Sequence, residues 1–594
     1  MFSSLGRFSF DQRRWVVAGA LIFFVVSAFG SRGIVDSLEQ GGFFDQSSEA
    51  AKTSQLLADL GIGLSDVDLV LVFDAGEESI RDIDNLLEIR DIENAAYDTG
   101  AFDGRPRSYR ELGSNSFLSA DGTKTVSFFS MSGSDTEKRE RYATEVRPVL
   151  ESERLEILRG GTVPGAIELN ELIESSIGRG ELISLPLSFG LLFLVFGGFV
   201  AAGLPLVAGV VAVVGALAVT RVVATLTDMS AFVVMTVTML GLGVTIDYSL
   251  FMVNRYREEM ARSGDDVRRA VERTVATAGR SVAFSGITTV LSMGSLLFFN
   301  EMIFRSFAFG AMAAVLVAFV NAVILLPALI AVFGVNAGRT AERGTSRAPW
   351  AVARWLGRVA LFRLSTGFDR FPRTGGEVSD HGFWFRVASL GRRWPWPLAG
   401  GVLAILIVAG LPFLRLNISL PDHRVLPPSS ETRRVVDEIE KAFPDRDTRP
   451  VKLALTFDEG RAPAHYDEIA SYTERLLAVP GVRAVTSLTT IDLLERELVL
   501  DYESGVLDEL VAGGLGVVLS LFANGPTTLV DVSLEPDAQS VEAQRVLEDV
   551  RAVPPPPASS VQIGGDTAQL VDTKASLTAR VPWVIAYIMV VTFV

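Results

Sequence analysis

Asp247 and Tyr248 stand side by side in "GLGVTIDYSLFMVNRYREEM", Gly241 to Met260, within a stretch that is otherwise apolar for about 25 residues. An ionised aspartate near the centre of such a span costs about 2.5 to 3.5 kcal/mol, and a cost of that size argues for a use. The apolar run meets polar residues again at Asn254 and Arg255. The carboxylate is therefore about seven residues, or roughly 10 Å, inside, too deep for its short side chain to reach the interface. Withholding water favours the neutral form of a carboxyl, which can then release its proton when a conformational change admits water or a partner. Tyr248 points about 100° away round a helix, so its hydroxyl is placed to bond a carboxylate on another helix rather than Asp247. This is the chemistry of a proton carrier.

Supporting residues lie nearby in sequence. Gly241 and Gly243, about one turn before the aspartate, would let another helix approach closely. Ser285, Thr288 and Thr289 in "FSGITT" offer hydroxyls, and Ser285 and Thr289 are the relay candidates. Each has a plainer reading: Asp247 as an interfacial acid at a helix end, the glycines as packing points, the hydroxyls bonded to their own backbone. Asn321 reads as interhelical glue, and Arg255 and Arg257 as anchors at the membrane face.

The chain lacks the parts of other chemistries. It has no cysteine, which excludes disulfides, thiolate metal sites and cysteine nucleophiles. Its three histidines, His381, His423 and His465, are far apart, so no metal is expected. None of its lysines follows a glycine, as a Walker A loop requires, so transport energy would have to come from a source other than ATP. "GGFF", "GGTVPG" and "GGLG" read as turns or packing sites, none of them expected to follow a strand and open a helix as a phosphate loop must. No catalytic constellation or cofactor site stands out, and the reading is of a protein that is not an enzyme. A net charge of −16 argues against nucleic acid. That charge coexists with 49% hydrophobic residues and a mean hydropathy of +0.34, so apolar and charged residues must be segregated.

The segregation is visible along the 594 residues. Residues 1–30 carry an apolar helix, read as an uncleaved signal anchor because bulky residues follow it where a cleavage site would need small ones. Residues 31–181 are polar and acidic with strand-like alternations, and predict a folded α+β domain. Five apolar segments at about 182–200, 204–226, 229–253, 281–299 and 305–334 predict a membrane bundle over 182–334. An arginine-rich linker covers 335–395, a seventh segment 396–415, and a second acidic domain 416–580. Residues 581–594 begin an eighth apolar segment that stops after about 13 residues, too short to span. Arginine collects in "DQRRW", in the loop after Asn254 and in the linker, so these are expected on the cytoplasmic side and both acidic domains outside.

The plan repeats. Arg13-Arg14-Trp15 recurs as Arg392-Arg393-Trp394, and "DLVLVFDAGE" matches "VKLALTFDEG". "DGTKTVSFFSMSGSDTEKRERYATEVRPVL" matches "NGPTTLVDVSLEPDAQSVEAQRVLEDVRAV", and "LRGGTVPGAIELNEL" matches "IGGDTAQLVDTKASL". Parallel repeats of this kind usually place function at the interface between halves.

The run "RGELISLPLSFGLLFLVFGGFVAAGLPLVAGVVAVVGALAV", followed by "GLGVTIDYSLFMVNRYREE", "TAGRSVAFSGITTVLSM" and "LLPALIAVFG", resembles the first membrane bundle of the MMPL family. These mycobacterial-membrane-protein-large lipid exporters belong to the resistance, nodulation and division (RND) superfamily. The resemblance implies an α-helical membrane protein with two extracytoplasmic α+β porter domains and an RND-type internal repeat, here with its second membrane half truncated. It implies twelve spans, a bacterial inner-membrane location, a lipid or hydrophobic small-molecule substrate and coupling to protons through paired aspartate-tyrosine motifs in the fourth and tenth spans. Asp247 and Tyr248 match the first pair; the tenth span would fall past Val594. A homo-oligomer stays open. The leading expectation is proton-driven lipid export. Its rivals are a lipid sensor or scaffold, since bundles of this shape also serve sterol-sensing proteins, and a proton-driven aid to protein secretion.

Overall fold

A computed structural model describes residues 2–34, 38–39, 41–63, 67–113, 115–196, 199–263, 266–339, 389–412, 419–443, 449–491, 499, 516 and 519–593. In chain order its main elements are α1 (Phe2–Asp11), α2 (Arg13–Gly30), α3 (Glu49–Asp59), β1 (Leu69–Asp74), α4 (Ile83–Asp98), β2 (Lys124–Phe129) and β3 (Glu156–Gly160). There follow α5 (Thr162–Phe196), α6 (Phe199–Ala224), α7 (Val233–Arg262), α8 (Val267–Gly294) and α9 (Met302–Val320), which a π-helical turn at Asn321–Leu325 carries into α10 (Leu326–Arg339). The remainder is α11 (Pro395–Gly410), α12 (Glu431–Ala442), β4 (Val451–Phe457), α13 (Tyr466–Leu477), β5 (Val482–Ser487), β6 (Ala523–Asn524), β7 (Thr527–Leu534), α14 (Val541–Arg551), β8 (Ser559–Gly564) and α15 (Asp566–Phe593).

The protein is predominantly helical. Among the described residues, six helical stretches are long and apolar enough to cross a membrane: α2, Ala202–Ala224, α7, Val267–Phe298, Met302–Phe333 and α15. Helix α7 packs against α6, α8 and α9 and forms the middle of the bundle. Before the spans, α1 docks on α8 through Arg7–Glu272 at 3.2 Å and Arg268–Asp11 at 3.0 Å. At Gly6 a Cβ would sit 3.0 Å from the Glu272 Cα, so the two helices touch backbone to backbone.

Several helices overrun their apolar segments. Hydropathy marks where a helix is buried in lipid and says nothing of where its hydrogen bonds stop. Helix α5 starts at Thr162, so no break falls at the expected boundary near 181. The expected cytoplasmic loop after Asn254 is mostly helix: α7 runs to Arg262, and Asp266 caps α8 by accepting from the Arg269 N–H at 3.1 Å. Charge pairs support the extension, with Arg255 reaching Glu258 at 2.9 Å and Glu259 at 2.7 Å. The segment expected to be too short at 581–594 is the apolar end of the 28-residue α15, which starts at Asp566 and is long enough to cross. Residues 340–388 of the arginine-rich linker lie outside the described residues.

Among the described residues there are two antiparallel sheets, one of order β2-β1-β3, the other β5-β7-β4-β8 with β6 beside β7. The repeated sequences fall on matching positions. "DLVLVFDA" becomes central strand β1 and "VKLALTFD" central strand β4; each pairs antiparallel with the two strands that carry the other matches. The strands read as near-continuous apolar runs because both faces are covered. Leu69, Leu71 and Phe73 join the α4 side with Ile89 and Ile92, whereas Val70 and Val72 meet Val435, Ile439 and Phe443 on and just after α12. Reciprocally, α3 lies on the other sheet, where Leu57 packs with Ala454 and Leu529. The helix preceding each sheet in the sequence thus covers the other sheet.

Candidate functional site

Asp247 lies midway along α7. The inner face of that helix is set by Gly241, Thr245, Tyr248, Ser249 and Met252, all buried. Asp247 belongs to the opposite stripe, where Met239 is 76% and Phe251 49% exposed and where Gly243 is also exposed. The side chain therefore stands on the outer face of the described bundle, among apolar neighbours that in a membrane protein face lipid or a packed helix. Asp247 makes no hydrogen bond among the described residues.

Tyr248 turns inward, as the helical angle between neighbours requires. Its ring packs in the cluster of Met252, Tyr256, Val282 and Ala318, and its hydroxyl passes 3.7 Å from the place a Cβ at Gly286 would occupy. A Cβ there would make ordinary contact with the phenol. Thr245 and Ser249, two residues either side of Asp247, are fully buried and their hydroxyls have no partner among the described residues. The sequence reading missed them; small hydroxyl residues spaced i, i+4 about an intramembrane acid are the signal that points to them.

On α8, Ser285 is exposed and Thr289 half-buried. Thr289 Oγ1 donates to the Ser285 carbonyl at 2.8 Å and Thr288 Oγ1 to the Phe284 carbonyl at 2.9 Å, so both hydroxyls are bonded within their own helix. No hydrogen bond joins Ser285 or Thr289 to Asp247 among the described residues. A Cβ at Gly241 would lie 3.4 Å from Val213 Cγ2 and 3.7 Å from Ala314 Cβ, a close meeting of α7 with α6 and α9; at Gly243 nothing lies within 4 Å among the described residues. Asn321, in the π-helical turn, donates to the Ala208 carbonyl of α6 at 3.2 Å and ties two helices together. Arg255 is held by Glu258, Glu259 and the Thr277 hydroxyl at the end of the α7–α8 hairpin.

The glycine motifs also resolve. Contrary to expectation, "GGTVPG" does lie between a strand, β3, and a helix, α5. It is no phosphate loop. A Cβ at Gly160 would lie 2.8 Å from Val435 Cβ, Gly161 turns at φ +110° against the Asp68 backbone, and the Val163 N–H donates to the Asp68 carbonyl at 3.0 Å. Val435 and the Asp68 backbone fill the space beside these glycines, and the Val163 N–H is already engaged. In "GGFF", Gly42 turns at φ +81° against Met302; "GGLG" lies outside the described residues except for Gly516.

Beside the second sheet is a cavity of ≈ 590 Å³ lined by Asp422, Arg424, Asp537, Gln539 and Ser540. An adjoining one of ≈ 250 Å³ reaches Phe44, His423 and Arg449. Arg424 meets Asp422 at 2.5 Å and Arg449 meets Asp537 at 3.1 Å. Burial pushes the Asp422 carboxyl up, but the Arg424 side chain and backbone N–H outweigh it and hold the group below its ordinary value. The cavity presents paired opposite charges rather than a single sign.

Comparison with known proteins decides the kinship. The model of the MMPL family matches residues 71–398. The chain belongs to the MMPL family. It is 29% identical over 447 residues to the trehalose monomycolate exporter MmpL3 of Mycobacterium tuberculosis strain H37Rv, covering 74% of this chain and 44% of that relative. To the trehalose monomycolate exporter MmpL3 of Mycolicibacterium smegmatis it is 30% identical over 437 residues, 74% of this chain and 40% of the relative. To the mycolic acid-containing lipids exporter MmpL11 of Mycolicibacterium smegmatis it is 28% identical over 422 residues, 70% of this chain and 38% of the relative. The chain matches less than half the length of each of these three. The MMPL match takes in Asp247, Tyr248, Ser285 and Thr289 and stops in α11, before the second sheet.

Proposed function

We propose that this MMPL chain is part of a transporter that exports lipids or other hydrophobic compounds from the bacterial inner membrane, driven by the proton gradient. Kinship supports the lipid: the relatives above are named as exporters of trehalose monomycolate or of mycolic acid-containing lipids. The proton step rests on one observation, a carboxylate on the apolar outward stripe of a membrane helix. Placed against a packed helix, Asp247 is out of bulk water and gains or loses its proton as that packing changes. Tyr248, Thr245 and Ser249 offer hydroxyls on the inner face of the same turn, and Ser285 and Thr289 on α8. One proton crossing about 100 mV releases about 2.3 kcal/mol, enough to bias two arrangements of a bundle that differ by a few kcal/mol.

In this reading the sheet-bearing regions, about 31–181 and 416–580, are extracytoplasmic porter domains, and the arginine-bearing α7–α8 hairpin faces the cytoplasm. The cavity at Asp422 and Asp537 lies on the substrate path. The test is lipid appearance outside cells that carry the complete protein. Asp247→Asn is expected to stop export with expression and folding unchanged, and Asp247→Glu to keep a measurable part. Undiminished export by Asp247→Asn sinks the relay. Function that survives collapse of the proton gradient would favour a lipid sensor or scaffold, and a secretion defect without lipid accumulation would favour a secretion aid.

A further inference from the structure

The two swapped helices are held by matching carboxylates. On α5, Glu168 accepts from the N–H groups of Glu431 at 3.2 Å and Thr432 at 3.3 Å and from the Ser430 hydroxyl, the first turn of α12. On α15, Asp572 accepts from the Ala50 N–H at 3.1 Å, in the first turn of α3, and from Arg551 at 2.9 Å. The grip is returned. Glu431 accepts from the Arg159 N–H of β3 at 3.1 Å, and Glu49 accepts from the Ile563 N–H of β8 at 3.2 Å. Among the described residues both strands are sheet edges, so each swapped helix offers its first carboxylate to a backbone donor that no described strand pairs. The glycines match as well: a Cβ at Gly160 would meet Val435 Cβ at 2.8 Å, and one at Gly564 would meet Thr53 Cβ at 3.0 Å.

Both sets of contacts combine a carboxylate with the positive end of a helix, an arrangement that is directional and charge-assisted. Each of the gripping acids also stands on a helix that continues unbroken from the sheet layer into its apolar end, α5 to Phe196 and α15 to Phe593. We propose that Glu168 and Asp572 are coupling residues: they make α5 move as one body with α12, and α15 with α3, so that displacement of a membrane helix in one half is carried to the chain entering the other half's sheet. This deepens the export reading by assigning residues that transmit the motion, but the clamp can be tested without transport.

The cysteine-free chain permits paired nitroxide labels at Glu171→Cys on α5 and Glu440→Cys on α12 of the full protein. The expected distance distribution is narrow and the same at pH 5 and pH 8. Glu168→Ala is expected to broaden it at least twofold and Glu168→Gln, which keeps an acceptor, to restore most of the sharpness. A distribution that is bimodal in the parent, or that stays narrow in Glu168→Ala, overturns the clamp. In cells, Glu168→Ala and Asp572→Ala are each expected to lose about tenfold in lipid export at unchanged protein level, as loss of a charge-assisted cap implies. At Gly165 a Cβ would lie 3.2 Å from Thr432 Cγ2, so a Gly165→Cys, Thr432→Cys disulfide is expected to restore export in Glu168→Ala. If that bond stops export in otherwise unaltered protein, the clamp must open during the cycle and the proposal is overturned. If the parent exports no lipid while the labels behave as expected, the export reading fails and the clamp stands.

Discussion

Gly243 and Gly286 are both glycines in membrane helices, yet they test different things. Among the described residues nothing lies within 4 Å of a Cβ at Gly243, one turn before Asp247 on the outward stripe. Gly243→Leu is expected to leave thermal stability unchanged and to cut export at least tenfold if a helix docks on that stripe. At Gly286 a Cβ would already contact Tyr248 Oη at 3.7 Å and Phe319 Cβ at 3.9 Å. An alanine fits there with ordinary contacts, whereas Gly286→Leu is expected to cost about 1 to 3 kcal/mol through overpacking, read as a fall in melting temperature. The sequence singled out Asp247 and Tyr248 because charge in an apolar run is visible to any composition scale. It did not say which of the two faces the packed interior, and hydropathy alone does not mark Thr245, Ser249 and Gly286; for the two hydroxyls the signal is their spacing about the acid.

Among the elements, α12 and α3 are the ones whose places no local pattern gives. Both announce themselves as helices: Ser48 and Ser430 are their N-caps, each accepting from a backbone N–H three residues on, and each cap lies within Ser-Ser-Glu. Neither announces which sheet it covers, because the apolar stripe Val435, Ile439 and Phe443 would suit either. Burial of each such side chain is worth about 1.5 to 3 kcal/mol, so the choice of partner matters to stability. Gly160→Val is expected to destabilise by about 1 to 3 kcal/mol, since its added carbons meet Val435, and Val435→Ala in the same chain is expected to recover part of the loss. Denaturant melts of the four variants in the cycle measure that coupling. Helix ends were legible in part only. The apolar segments located α6 to α10, but α5, α7, α8 and α15 run past the lipid-facing stretch on hydrogen bonds and charge pairs that hydropathy does not weigh.

For the whole molecule, pH reads the polar contacts outside the membrane. Burial pushes the Asp45 carboxyl up, but donors from Ser47, Asn300 and Ser576 outweigh it, and the group is held below its ordinary value of 3.8. Asp422 and Asp537 are also lowered from 3.8, and Asp121 is held at about 2 by Ser119 and Thr123. Carboxyls lowered on folding add stability that is complete above their ordinary value and is lost as pH falls through the lowered ones. For Lys124, burial pulls down, but Asp74 at 2.7 Å and Glu438 at 2.5 Å outweigh it and raise the group above 10.5. Its contribution is complete below that value and is lost as pH rises through the raised one. Melting temperature is therefore expected to hold level from about pH 5 to pH 10 and to fall on both sides, with the acid loss continuing towards pH 2. Burial pushes the Tyr142 and Tyr472 phenols up to about 12, so they add to the alkaline loss, and Lys124→Met should reduce the alkaline shoulder and leave the acid one. Asp45 adds a further link: it accepts from Asn300 at 3.0 Å and from Ser576 at 2.9 Å, joining the end of the first bundle to α15.

The exchange of α3 and α12 also constrains how the chain is made. When β1, β2 and β3 have emerged from the ribosome, Val70, Val72, Val126 and Phe128 still await Val435, Ile439 and Phe443, which are translated only after the whole first bundle has been inserted. For that interval one face of the first sheet is an uncovered sticky surface, the kind of species that aggregates or recruits a chaperone. A soluble piece ending at β3 inherits the same defect, whereas residues 67–160 with 431–443 stitched on as a tail would carry their own lid.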